Sequence, residues 1–217
     1  MLVKDRMTPD PVCGKPDMPV TEVQELMRER KFRHLPILDE GGNLIGLVTQ
    51  RSLLRALPSD VSGFSRFEIS YLLAKIKAKD VMTKNVITID ENIAIEEAAR
   101  IMAVEKIGCL PVCSENKMVG IITDNDLFGI MVELMGGRGT GIRMTVSQPD
   151  RAGAIARLTS AIARQGGFMS VFVGYPGDEK ETWTSVCKVT NLSVDQLESI
   201  VHEMDDTTLL DIREAYT

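Results

Sequence analysis

Apolar residues recur at helical spacing in two stretches that mirror one another. They are Val23, Leu26 and Met27, then Ala98, Ile101 and Met102, each set at i, i+3 and i+4. Behind each set lie a short apolar run (Leu35–Leu38; Leu110–Cys113), a polar turn and a second apolar run (Leu44–Val48; Met118–Ile122). Two such runs across a turn predict a hairpin. An extended segment precedes each helix (Asp10–Cys13; Asn85–Ile89), and a closing helix begins near Ser52 or Asp126. Each stretch therefore predicts a β-α-β-β-α unit.

The mirror extends to residue identities. Lys4-Asp5-Arg6-Met7-Thr8 returns as Lys79-Asp80-Val81-Met82-Thr83, and Leu35-Pro36-Ile37 as Leu110-Pro111-Val112, a shift of 75 residues. One extra residue in the Glu40–Asn43 turn reduces the shift to 74, at which Gly46-Leu47-Val48-Thr49 meets Gly120-Ile121-Ile122-Thr123. A unit of about 55 residues is marginal alone, so the two copies are expected to bury their sheets against each other. The first copy is placed at 1–57 and the second at 80–135, with a helical connector at 58–79. In that connector Phe64 to Lys77 reads as a helix with Phe67, Tyr71 and Ala74 on one face.

Gly136-Gly137-Arg138-Gly139-Thr140-Gly141 has the glycine spacing of a dinucleotide loop, but it follows a helix and precedes a strand, the reverse of what that loop requires. Residues 136–141 read instead as a flexible hinge. Beyond it, 142–217 changes pattern. A strand (Ile142–Val146) leads to a helix carrying Ile155, Leu158 and Ile162, then strands at Phe168–Val173 and Trp183–Val189, a helix from Ser193 to Met204 and a strand at Thr208–Ile212. That order, β-α-β-β-α-β, is ferredoxin-like. The whole chain is expected to be α+β. Phe168, Val171, Phe172 and Val173 make one strand apolar on both sides, although the helices of such a unit cover one face only. A second copy of the chain is expected to cover the other; the alternative is the repeated pair of the same chain, which the length of Gly136–Gly141 allows.

Charge narrows the function classes. A net charge of −6 and 5% aromatic residues disfavour nucleic acid. No stretch approaches the roughly 18 apolar residues of a membrane span. Met1 to Met7 carries charges where a signal peptide needs an apolar run, so a cytoplasmic location is expected. Cys13, Cys109, Cys113 and Cys187 form no C-x-x-C pair, and His34 and His202 are the only histidines, a poor set for zinc. Cys109 and Cys113, four apart on a strand, lie about 13 Å from each other, too far for a disulfide. Neither G-x-S-x-G nor H-E-x-x-H occurs, and catalysis is not expected.

The doubled Asp-x-Met-Thr, Leu-Pro-Ile/Val and Gly-h-h-Thr strings resemble a pair of CBS domains, a Bateman module. Residues 142–217, with Pro149-Asp150-Arg151-Ala152-Gly153 leading into their first helix, resemble an ACT domain. Together they are similar to the acetoin-utilisation-protein-B-like family. The chain departs from the ACT pattern at Gly167-Phe168-Met169-Ser170, where that family usually has Gly-x-Asn-Ile.

The resemblance implies a regulatory sensor of an adenosine nucleotide (AMP, ADP, ATP or S-adenosylmethionine) that requires no cofactor. Its pockets would be shared between copies. In one, Asp126 would accept a ribose diol, with Thr123 near the phosphates and Ile121 beside them; Val12 and Cys13 would flank the base, and Arg33 and His34 the phosphates. From the residues alone, Thr123 and Asp126 also make a capping box, and Arg28–His34 a cationic helix end. In the other pocket Thr49-Gln50-Arg51-Ser52 lacks the Asp, and the cross-unit partners Val86, Ile87, Gly108 and Cys109 bring no cation, so it is expected to be weak or empty. For the ACT-like part the resemblance implies an amino-acid site around Asp150, Gly153 and Ser170 at an interface between two such units. Asp150 is also a good N-cap, and Gly153 lets the backbone turn closely against a neighbour. A homodimer, a small-molecule effector and an unidentified regulated protein are the expected partners. The rival readings are an assembly module with vestigial pockets and an enzyme of acetoin metabolism.

Overall fold

The computed structural model describes residues 1–56, 75–115, 117–137 and 139–215. They form two compact units, Met1–Leu127 and Phe128–Thr217. The connecting helix expected over Phe64–Lys77 lies almost wholly outside the described residues.

Within the first unit the chain runs through β1 (Thr8–Pro9), α1 (Val20–Glu29), β2 (His34–Leu38), β3 (Leu44–Thr49) and α2 (Gln50–Ala56). It continues with α3 (Ala78–Val81), β4 (Ile89–Asp90), α4 (Ile95–Glu105), β5 (Cys109–Ser114) and β6 (Lys117–Thr123). The last helix, α5 (Asp124–Leu134), begins here and ends in the second unit. The spacing that marks α1 and α4 is what they bury: Val20, Val23 and Met27 on one, Ile95, Ala98 and Met102 on the other. Both end at a lysine in the left-handed region, Lys31 (φ 57°) and Lys106 (φ 55°).

Each copy forms its hairpin, β2 against β3 and β5 against β6, both antiparallel. The lead segments cross over. β1 pairs with β6 of the other copy (Thr8↔Ile121, Pro9↔Gly120), and Thr83 bridges Leu47 on β3. Met7 thereby lies on Gly120 and Met82 on Gly46, so close that a Cβ at either glycine would collide with the methionine side chain. The exchange continues upstream. Val3 N–H donates to Ile93 O at 3.0 Å, and Ala78 N–H to Met18 O at 2.8 Å. Val3 and Ala78 are fully buried. Neither copy is complete without the other's lead segment.

The lead strands differ from their expected bounds. Regular pairing is confined to Thr8–Pro9 and Ile89–Asp90, and Gly14 makes one parallel bridge to Ile37. Pro9 and Pro11 have no N–H to donate, which limits the first of these ladders. The closing helices start at Gln50 and Asp124, each two residues earlier than expected.

The second unit contains β7 (Gly141–Pro149), α6 (Ala154–Arg164), β8 (Phe168–Pro176), β9 (Thr182–Thr190), α7 (Val194–His202) and β10 (Thr208–Ala215). Its sheet has the order β10-β7-β9-β8, every pair antiparallel. Met144, Val146, Cys187 and Val189 of the central strands share a core with Leu158, Ile162 and Leu197 of the helices. Ser193 and Gln196 cap each other to open α7. At α6 the N-cap is Gly153 (φ 89°), not Asp150. Open space surrounds a Cβ at Gly153, so its φ demands the glycine and close packing does not. Lys188, 5% exposed on β9, donates its Nζ to Gly136 O at 2.6 Å and to Gly139 O, which fastens the glycine-rich run to the sheet. β8 is an edge strand with Phe168 62% exposed.

Candidate functional site

β3 and β6 each end on a threonine that opens the next helix. Thr123 N–H and Oγ1–H both donate to Asp126 Oδ2 at 2.8 Å, and Asp126 N–H returns to Thr123 Oγ1 at 3.4 Å. In the first copy Thr49 N–H donates to Ser52 Oγ at 3.0 Å and Ser52 N–H to Thr49 Oγ1 at 3.1 Å. Both are capping boxes. Their chemistry differs. Asp126 keeps Oδ1 without a hydrogen bond among the described residues, whereas the one Ser52 hydroxyl proton is donated to Thr49 O at 2.9 Å.

Each box borders a cleft. The cleft at Thr123 and Asp126 measures about 440 Å³, and Thr8, Val12, Lys31, Arg33, His34 and Ile121 also line it. The crossed pairing of β1 with β6 delivers Thr8 and Val12 to this wall. Cys13 is not part of the lining; its thiol donates to Pro11 O at 3.2 Å. The cleft at Thr49 and Ser52 measures about 540 Å³ and receives Val86, Ile87, Gly108 and Cys109, the residues expected there. The expected lack of a cation from the other copy does not hold, because of Lys106. Arg33, Arg51, Arg55 and Lys106 line it. Lys106 enters through the left-handed turn that closes α4, and Arg51 and Arg55 lie four apart on α2.

Arg33 and His34 line both clefts. Arg33 Nη2 donates to Asp124 Oδ1 at 3.1 Å, a half-exposed pair of small energetic weight. A Cβ at Gly108, the second copy's counterpart of Arg33, would come 3.3 Å from Asp124 Oδ2 and 3.5 Å from His34 Nε2. Burial, then the charge of Arg33, holds the His34 imidazole below its ordinary range; Asp124 pulls the other way. Burial pushes the Cys109 thiol to about 12, with Asp124 adding to the rise. A thiol so placed is no nucleophile near neutrality.

A family model described as CBS domain matches residues 3–59 and 78–133, just over half of the chain. The chain belongs to the CBS domain family. CBS pairs of this kind are regulatory modules. Among solved structures it is similar to a Vibrio cholerae protein named for acetoin utilization (AcuB), at 33% identity and TM-score 0.54, covering 63% of this chain and 93% of that one. It is also similar to the CBS pair of protein MJ0100, crystallised with 5′-methylthioadenosine and S-adenosyl-L-methionine. That match has 26% identity and TM-score 0.51, and covers 64% of this chain and 98% of that one. Among curated proteins, an inosine-5′-monophosphate dehydrogenase of Korarchaeum cryptofilum is 37% identical over 120 residues, 55% of this chain and 22% of that enzyme. Protein MJ1225 of Methanocaldococcus jannaschii is 30% identical over 129 residues, 58% of this chain and 45% of that protein. The chain thus spans less than half the length of these two curated relatives.

Outside the CBS pair, a cavity of about 160 Å³ opens at the start of α6, lined by residues that include Gln148, Asp150, Arg151 and Trp183. Gly153 and Ser170 do not line it; Ser170 sits on β8 and donates to Lys188 O. The structure therefore does not gather Asp150, Gly153 and Ser170 into one lining. Gln148, fully buried and bonded to Ala154 O and Ser185 Oγ, was missed in the sequence because it sits mid-strand without a motif. Among the described residues no cluster of His, Cys, Asp and Glu could hold a metal, and no helix is long and apolar enough to cross a membrane.

Proposed function

We propose that the chain is a non-catalytic ligand sensor whose CBS pair takes an adenosine-containing ligand in the cleft of Thr123 and Asp126. The observation that carries this reading is the Asp126 carboxylate, fixed through Oδ2 while Oδ1, at a cleft wall, has no hydrogen bond among the described residues. A ribose diol presents two O–H donors, and a carboxylate is their strongest acceptor. Val12 offers an apolar wall for a base. Lys31, Arg33 and the first turn of α5 suit a phosphate when the ligand has one. The adenosyl ligands of the MJ0100 CBS pair support the class.

Calorimetric titration with S-adenosylmethionine, 5′-methylthioadenosine, AMP, ADP and ATP tests it. Asp126→Ala should cost at least tenfold in affinity, about 1.4 kcal/mol, and Ser52→Ala much less. Equal losses from the two changes, or none from Asp126→Ala, refute the reading.

The same proposal treats residues 142–217 as a ferredoxin-like, ACT-type domain that dimerises and takes an amino acid at the Asp150 cavity. The exposed Phe168 edge supports the first role, and the opposite charges of Asp150 and Arg151 in the lining of that cavity the second. Sedimentation of the full chain beside a version ending at Gly137 tests dimerisation. A full-length monomer at micromolar concentration overturns it. The regulated process, by likeness to AcuB, is acetoin use.

A further inference from the structure

The two clefts differ by an exchange of charges. At the position of Asp126 the first copy has Ser52, and at the positions of Asn125 and Gly129 it has Arg51 and Arg55. The Ser52 cleft has therefore lost a carboxylate and gained two guanidiniums. Four cations line it, and its one carboxylate, Asp124, is already paired with Arg33. Arg51, Arg55 and Lys106 have no carboxylate partner among the described residues. Such a concentration of positive charge is unexpected in a chain of net charge −6. A ribose diol finds no carboxylate acceptor at this capping box, where the Ser52 hydroxyl accepts from Thr49 N–H and donates to Thr49 O.

We infer that the Ser52 cleft is an anion site, specific for a phosphate chain held by Arg51, Arg55 and Lys106 and indifferent to ribose. This inference does not depend on the adenosine reading of the Asp126 cleft. The phosphate chain belongs either to a free phosphorylated metabolite or to the tail of a nucleotide, and the guanidinium forks read the same oxygens in both.

The test titrates the full chain with sodium tripolyphosphate, ATP and 5′-methylthioadenosine at about 0.15 M salt, where diffuse surface attraction is screened. Arg51→Gln/Arg55→Gln, at two exposed positions, should weaken tripolyphosphate at least tenfold and leave 5′-methylthioadenosine within about twofold. ATP weakened alongside tripolyphosphate identifies a nucleotide tail as an acceptable source; ATP unaffected identifies a free metabolite. Arg30→Gln/Lys31→Gln, which removes two cations that line the other cleft, should change tripolyphosphate less than about threefold. No saturable tripolyphosphate binding to the unaltered chain, equal losses from the two double variants, or loss only from the second overturns the inference. Failure of the Asp126 reading would appear instead in the 5′-methylthioadenosine titration of Asp126→Ala.

Discussion

The two CBS copies share a backbone and divide the chemistry. β2-β3 and β5-β6 have the same hairpin, the same capping box and the same left-handed lysine before them. What differs is a handful of side chains around that frame: Asp126 against Ser52, Arg33-His34 against Gly108-Cys109. Those positions sit at strand ends and first helical turns and line a cleft, Cys109 alone being buried as well. Duplication preserves the residues that pack and releases those that bind. The copies should therefore respond alike to core damage and unlike to changes at the clefts.

The largest effects should show the likeness. Leu35 and Leu110 are matching residues with no exposed surface. Each replaced by Ala should cost about 2–5 kcal/mol, by similar amounts, in urea unfolding. A large inequality would mean that the copies are not packed equivalently. At the crossing points the likeness should begin to fail. The three atoms nearest a Cβ at Gly46 all belong to the Met82 side chain, whereas one at Gly120 comes 3.0 Å from the Thr8 carbonyl oxygen, which is backbone. Gly120→Ala should then cost about 1–3 kcal/mol and Gly46→Ala less, measured by the shift in urea midpoint.

The clefts should separate the copies fully. Ser52→Asp restores the carboxylate in the first copy and should raise the number of 5′-methylthioadenosine sites per chain from one to two. An unchanged stoichiometry would show that more than this carboxylate distinguishes the clefts. The smallest effect concerns pH. His34 stands where the second copy has Cys109, whose thiol at about 12 does not titrate in the same range. The folded imidazole, held below its ordinary 6.5 by burial and Arg33, resists a proton that the unfolded chain accepts. Stability contributed by the neutral ring is full above that ordinary value and declines as pH falls toward the folded one. Urea midpoints between about pH 7.5 and 5.5 should fall less in His34→Gln than in the unaltered chain; an identical slope would show that another group carries the dependence.

Much of the frame was legible in the sequence because it rests on local periodicity. Val23 and Met27, or Ala98 and Met102, report a helix face by spacing alone, and the order β-α-β-β-α-β of the second unit follows from alternation and turns. The crossing of β1 onto β6 was not legible, since strand pairing far along the chain leaves no local period. The cations of the Ser52 cleft were missed for a related reason. Transferring the positions of Arg33 and His34 onto the second copy leads to Gly108 and Cys109, and a one-for-one transfer overlooks Arg51 and Arg55 arriving from the cleft's own helix. The family resemblance places Cys13 at the base wall, but its thiol is engaged with Pro11 O.

The crossed lead strands also impose a timetable on synthesis. Leu47 leaves the ribosome with a bare strand edge and waits for Thr83, while Thr8 waits for Ile121 near the end of the second copy. Contacts so distant in sequence close late, and until they close the nascent chain displays unpaired edges. Two chains that meet in that interval can offer each other the same lead strands, Met7 settling on a neighbour's Gly120 in place of its own. The crossing that joins the copies is thus also the place where two growing molecules would become interlocked.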